Sequence, residues 1–224
     1  SRYQSFEELK IKSKEFVQSS KERGAYNGLR KLLTELYPDK AHFIYELLQN
    51  AEDKEASSVN FELYNDRLVF THNGKKRDFI LDDIDSITNI GISTKIDDPT
   101  SIGKFGVGFK AVYSYTNTPE IHSGKYDFKI VDMLVPEDEC VPKTASVGKT
   151  QFVFPFDHDT KTPKQAVKEI TEGLLALNEN SILFLRNIHQ ITFRLPDGKV
   201  GGIKLEDKDD VLKKIIWVNA LTKE

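Results

Sequence analysis

The segment from Ser58 to Lys75, "SVNFELYNDRLVFTHNGK", alternates apolar and polar residues on either side of Asn65 and Asp66. Such alternation specifies two half-buried strands joined by a tight turn, ending in a second turn at Asn73-Gly74. Helical stretches flank this hairpin. Ser5 to Glu8, "SFEE", reads as a capping box opening a helix through about Ser19. A second helix runs from Tyr26 to Tyr37 and stops at Pro38, and a third covers about Lys40 to Glu55. Leu81 to Ile90 is helical with Asp82 or Asp83 near its start, Gly91 to Gly103 is a polar loop, and Lys110 to Tyr115 is a short helix.

Further strands are predicted at Glu120–Ser123, Lys125–Asp132, Thr150–Pro155, Gln190–Leu195, Lys199–Leu205 and Lys213–Asn219, with an amphipathic helix from Pro163 to Asn178. This irregular order predicts an α+β fold: a mixed, mostly antiparallel sheet with helices on one face, rather than a βαβ repeat. The 224 residues suffice for one domain with a full core. That domain divides into an N-terminal helical segment (1–38), a central part (39–155) and a C-terminal helix with strands (156–224).

A net charge of −3, with scattered Lys and Arg, gives no basic surface, so nucleic acid is not expected as a partner of this domain alone. Cys140 is the sole cysteine, which excludes an internal disulfide and fits a reducing, cytoplasmic compartment. No apolar run approaches the roughly 20 residues that span a bilayer, so no membrane partner is expected. The first residues, "SRYQSFEELK", are not a signal peptide, and the missing initiator Met suggests a trimmed chain or one piece of a longer protein.

In the third helix, "IYELLQNAEDK", Ile44, Leu47, Leu48 and Ala51 form a core-facing stripe. Glu46, Asn50 and Asp53 fall within roughly 60° of one another on the other side. A solvated face explains such a stripe by itself. Asn, however, is a mediocre helix former with no structural task at mid-helix, and its amide oxygen suits Mg²⁺ already held by phosphates. A Glu one turn earlier is placed to orient or deprotonate a water. The stripe becomes a site only if a phosphate cradle lies downstream.

"SIGKFGVGFKAVYSY" offers that cradle, with Gly103, Gly106 and Gly108 leading into a helix. Glycines let backbone N–H groups approach an anion, and the helix N-terminus adds partial positive charge. Phe105, Val107 and Phe109 alternate with them as core anchors, which a flexible linker would not carry. The dinucleotide fingerprint has another glycine order and follows a strand. "KTASVGKT" ends like a P-loop, but Lys143 occupies the first glycine position and a strand, "QFVFPF", follows.

Taken in order, "ELLQNAED", "HNG", "NIGISTK", "IGKFGVGFKAVYS" and "GKTQFVF" resemble the GHKL ATPases: gyrase, the heat-shock chaperones, sensor histidine kinases and MutL. Within that superfamily they look most like the chaperone-like ATP-binding domains of sacsin and the plant NO VEIN proteins, a likeness that extends to "ILFLRNI" at 182–188. The resemblance implies a Bergerat fold, a two-layer sandwich with ATP and Mg²⁺ between helices and sheet. It implies Glu46 as general base, Asn50 as Mg²⁺ ligand, and Asp53 as the acidic residue one turn on. Asn89 and Lys95 match positions near ribose and phosphates. Gly103, Lys104, Phe105, Gly106, Val107, Gly108 and Phe109 match the phosphate loop, and Thr150 the threonine that helps hold adenine. Ile92 to Ile102 would be a short lid.

One departure concerns the base. Where the family has D-x-G-x-G, with Asp accepting from adenine, this chain reads His72-Asn73-Gly74-Lys75-Lys76. Asn73 beside Gly74, Asp53 or a water would then supply the acceptor; His72 itself reads equally as an exposed turn residue. The activity implied is slow, Mg²⁺-dependent ATP hydrolysis used as a conformational switch. The competing reading is a nucleotide-binding module that hydrolyses nothing. A histidine-kinase domain or a DNA-topology ATPase fits less well, lacking a phospho-acceptor context and a basic transducer respectively. A homodimer through the N-terminal segment, further domains and client proteins are the partners this reading admits.

Away from these motifs, His42, His122, His158 and His189 show no ligand spacing. Lys161, Lys164 and Lys168 read as a solvated helix face, and Ile215, Ile216 and Trp217 as core or a buried interface, core preferred.

Overall fold

The computed structural model describes residues 2–35, 42–74, 76, 78–90, 107–144, 148–207 and 213–217. The expected lid, with Lys95, and Gly103, Lys104, Phe105 and Gly106 of the glycine loop lie outside the described residues, as do the side chains of Ile215, Ile216 and Trp217.

Helix α1 (Phe6–Glu22) starts where Ser5 Oγ accepts the Glu8 amide at 3.1 Å. The Glu8 carboxylate accepts from the Gln4 amide instead, so the reciprocal bond falls one residue early. Helix α2 (Tyr26–Glu35) and α3 (His42–Asp53) follow, then the hairpin of β1 (Ser58–Leu63) and β2 (Arg67–His72), with Leu63 opposite Leu68. Helix α4 (Leu81–Thr88) leads to a 3-10 helix at Val107–Ser114. At three residues per turn this helix stacks buried Phe109 and Val112 on one face, with Tyr115 next in line. That common anchoring suits the tighter 3-10 coil, and the helix starts three residues before the short helix expected from Lys110.

Strands β3 (Glu120–Ser123), β4 (Tyr126–Val131), β5 (Val135–Glu137) and β6 (Thr150–Pro155) come next. The chain continues through α5 (Pro163–Leu175), α6 (Asn180–Leu183), β7 (Gln190–Arg194), β8 (Val200–Asp207) and β9 (Lys213–Trp217). Thr162 and Gln165 close a reciprocal capping box on α5. Among the described residues, nine strands form one sheet in the order β5-β4-β3-β6-β2-β1-β7-β8-β9. Neighbours are antiparallel except β1 and β7, which run parallel.

The architecture is the α+β, two-layer arrangement that the pattern predicts. Val59, Phe61 and Leu63 are buried while the alternate residues of β1 are half-exposed, so one sheet face is covered. Phe43 of α3 meets Phe154, and Phe109 meets Phe152 and Phe154, with ring centroids 6.1–6.3 Å apart. Phe6 of α1 covers Phe128 in the same way. One expectation fails at α5: Lys161 lies over the Tyr115 ring and pairs with Glu169 at 2.7 Å, leaving only Lys164 and Lys168 exposed.

Candidate functional site

Helix α3 buries Phe43, Ile44, Leu47, Leu48 and Ala51, which fixes its rotation and turns Glu46 and Asn50 the other way. The Glu46 carboxylate lies against the backbone of Gly108, where a Cβ would collide with it. A glycine is therefore required at 108 for this approach. Glu46 Oε1 also stands 3.2 Å from Nε2 of His42, one turn earlier on the same helix. The i, i+4 spacing of His42 and Glu46 was the available signal for that contact, which the sequence reading passed over.

Among the described residues, Asn50 is the exception to otherwise satisfied buried side-chain polar groups. Its Nδ2 is buried and has no hydrogen-bond partner among the described residues. An amide nitrogen sealed from water without a bond costs roughly 1–3 kcal/mol. Asp53, at the helix end, accepts from Gln49 at 3.1 Å. The structure thus joins Glu46 to the Gly108 end of the glycine segment and puts Asn50 one turn along the same face. Phe109 anchors the 3-10 helix in the core, as its alternation with glycine predicts. Val107 opens that helix.

At the end of β2 the turn residues are committed in ways the sequence did not reveal. Asn73 Oδ1 accepts from the Ser57 and Ser58 amides at 3.0 and 2.9 Å, and Nδ2 donates to Ser57 Oγ. Both oxygen lone pairs are spent, so Asn73 anchors the start of β1 and is not free to receive a base. His72 is not an exposed turn residue: it is 3% exposed, and Nδ1 accepts the Gly74 amide at 3.0 Å. Burial, and after it the charge of Lys54, pushes the imidazole down to about 4. A Cβ on Gly74 would press on Lys54 Cβ at 2.9 Å and on the His72 ring at 3.0 Å.

Thr150 faces His72 across the β2–β6 pairing, and its hydroxyl meets Ser123 Oγ at 2.7 Å. Ser123 in turn accepts the Phe79 amide at 2.9 Å, a role no sequence signal announced. Beneath the turn, Lys54 Nζ donates to Asp83 at 2.9 Å, both side chains being almost fully buried. Asp83 also accepts the Ile80 amide, so the pair joins the end of α3 to the cap of α4. Asn89 ends α4 and lines a concavity of about 240 Å³ with Arg2, Tyr3, Leu9 and Phe16, on the α1 side.

Lys110, next to the glycine segment, is buried and donates to the carbonyls of Ile87 and Met133 at 3.0 and 3.1 Å. Desolvation pulls its ammonium down to about 7. It holds the C-terminal turn of α4 and the β4–β5 connection to the 3-10 helix. No helix among the described residues is long and apolar enough to cross a membrane.

Comparison with known proteins agrees with this architecture. Residues 69–165 match the family described as the Sacsin domain. The chain is 37% identical over 193 residues to the protein NO VEIN of Arabidopsis thaliana, covering 75% of this chain and 7% of that protein. It is 27% identical over 177 residues to sacsin of Homo sapiens, covering 70% of this chain and 4% of that one. The chain therefore spans a small fraction of either relative. In fold it is similar to the crystal structure of the N-terminal domain of a DNA repair protein, with a TM-score of 0.53 at 12% identity. That match covers 84% of this chain and 57% of the other, and the likeness is one of fold alone. Together the family match and the two relatives support placing this chain with the sacsin/NO VEIN-like proteins.

Proposed function

We propose that this domain binds a nucleoside triphosphate with Mg²⁺ and hydrolyses it slowly, using the nucleotide as a conformational switch. ATP is the nucleotide the family resemblance implies. The observation that carries the reading is the α3 face, where the Glu46 carboxylate abuts Gly108 and the Asn50 amide is buried without a partner. Glu46 would accept a proton from the attacking water, with His42 at 3.2 Å orienting it.

Asn50 would hold Mg²⁺ through its amide oxygen, a hard neutral ligand suited to an ion already held by phosphates. Among the described residues no cluster of three or more His, Cys, Asp or Glu could hold a metal. That suits an ion bound mainly through phosphates rather than in a protein cage. The ion would neutralise phosphate charge when bound. Since the two relatives are far longer than this chain, the output of the switch would pass to other domains or client proteins.

The test is calorimetry with Mg²⁺ and a non-hydrolysable triphosphate beside a phosphate-release assay. Glu46→Ala should leave binding intact and reduce release by about 10²-fold or more, the range of a lost general base. Unchanged release removes Glu46 from the chemistry. Binding by the wild-type chain with no release identifies the non-hydrolysing module instead.

A further inference from the structure

Between the 3-10 helix and α1 lies a turn whose backbone is held against its own preference. Asp132 and Met133 join β4 to β5 with φ of 51° and 64°, and the Leu134 amide closes on the Val131 carbonyl at 3.3 Å. Two successive left-handed residues suit Asn-Gly or Gly-Gly. Asp visits that region because its short side chain bonds locally, whereas Met does not. The turn therefore keeps this form only because neighbouring elements grip it.

Two separate grips do so. From the 3-10 helix, Lys110 Nζ donates to the Met133 carbonyl at 3.1 Å while also bonding that of Ile87 at the end of α4. The Tyr113 hydroxyl reaches the same Met133 oxygen at 3.4 Å. From the N-terminal helices, Lys21 Nζ and the Tyr26 hydroxyl donate at 2.9 Å to the two carboxylate oxygens of Asp132. Adjacent residues are thus tied to different elements. The turn also has room on its α1 side, where Val17, Lys21, Val131, Asp132 and Val135 line a concavity of about 480 Å³.

Resting on the nucleotide reading for its trigger, we propose that the Asp132–Met133 turn is a two-position joint through which occupancy of the glycine segment is felt at α1. Lys110 lies two residues past Gly108, the glycine against Glu46, so a shift there moves the ammonium relative to the Met133 carbonyl. Released from that grip, the turn relaxes toward right-handed backbone angles, swings Asp132 into the concavity and lets go of Lys21. The coupling runs equally in reverse, so loosening α1 loosens the 3-10 helix.

A double-mutant cycle in urea on the whole chain tests the joint, with Lys110→Met removing one grip and Lys21→Met the other. Helix α2 packs directly on the 3-10 helix, so Lys21 of α1 is a cleaner partner than Tyr26. Once either grip is lost the turn has relaxed, so the second substitution should shift the urea midpoint by about half or less of its effect alone. In a Met133→Gly background, where Asp-Gly holds the turn unaided, the two shifts should add. Met133→Asn serves if that background does not fold, and Tyr113→Phe replaces Lys110→Met on the same ground. Additive shifts in the wild-type background, or non-additivity that persists in the Met133→Gly chain, overturn the joint. Hydrogen exchange tests the trigger at the Arg23 and Ala25 amides, which bond to the Ser19 and Ser20 carbonyls of α1. Saturation with Mg²⁺ and a non-hydrolysable ATP analogue should change their rates about tenfold in wild type and leave them unchanged in Met133→Gly. A bound analogue that leaves those amides unchanged in wild type overturns the trigger. Failure of the analogue to bind overturns the nucleotide reading and the trigger with it, while the urea cycle still decides the joint.

Discussion

Asn50 occupies a position that an apolar residue would fill more stably, since its amide nitrogen is buried with nothing to bond among the described residues. Replacing a buried, unsatisfied amide by an apolar group of similar volume removes the desolvation cost without opening a cavity. Asn50→Leu should therefore stabilise the chain by ~1 kcal/mol, read as a higher urea midpoint with unchanged slope. The same variant should lose Mg²⁺-dependent nucleotide binding. A stability gain with binding intact would remove Asn50 from the site; a loss of stability would mean that the amide has a partner in the folded chain. Gly108 belongs to the same reasoning, because a Cβ there would collide with the Glu46 carboxylate.

Between residues and the whole lies the β3–β4 hairpin, whose side chains on the less covered face include a second polar cluster. His122 is 1% exposed, with Nδ1 at 2.6 Å from Asp127 and Nε2 at 2.5 Å from Glu120. The Thr144 amide and hydroxyl also reach Asp127 at 3.3 Å. Burial disfavours the imidazolium, but hydrogen bonds to Glu120 and Asp127 outweigh it and raise the pKa above 6.5. Below about 6.5 the ring is charged in both folded and unfolded chains, and the cluster's contribution is complete. As pH rises through the higher folded value, that contribution is lost. The melting temperature of wild type minus that of His122→Asn should shrink from acid to alkaline pH. A constant difference would show that the ring does not titrate with folding. Elements of this kind also mark what the sequence disclosed. The hairpin strands were legible because Val59, Phe61, Leu68 and Phe70 alternate with polar neighbours. Strand β5 was not, because Pro136 breaks the pattern; it is tolerated there because β5 lies at the sheet edge. In the site, Glu46 and Asn50 were legible from helical spacing. The commitment of Asn73 to Ser57 and Ser58 was not, since it depends on a turn closing back across the sheet.

At the scale of the whole molecule, two halves of the sheet must be held in register with one helix layer, and Glu52 does much of that holding. The β1–β7 junction is the one parallel pairing among the described residues, joining the central hairpin to a strand more than a hundred residues later in the chain. Just before β7, the Glu52 carboxylate accepts the backbone amides of Arg186, Asn187 and Ile188 at 2.8–3.1 Å, and the Asn187 side chain at 2.9 Å. This explains "LFLRNI": its last residues turn successive N–H groups toward one anion, which the sequence places 134 positions away. Glu52 is nearly buried, so its loss leaves several amides without a partner. Glu52→Ala should destabilise the chain by ~3 kcal/mol, on the scale of hydrogen bonds to a charged group left unmade. Glu52→Gln, which keeps one acceptor oxygen of the two, should lose less. Hydrogen exchange should then rise first at the amides of 186–188 and along β7, while the amides of β2 and β6 stay protected. Uniform loss of protection across the sheet would show instead that Glu52 supports the helix layer alone, and that the parallel junction stands without it.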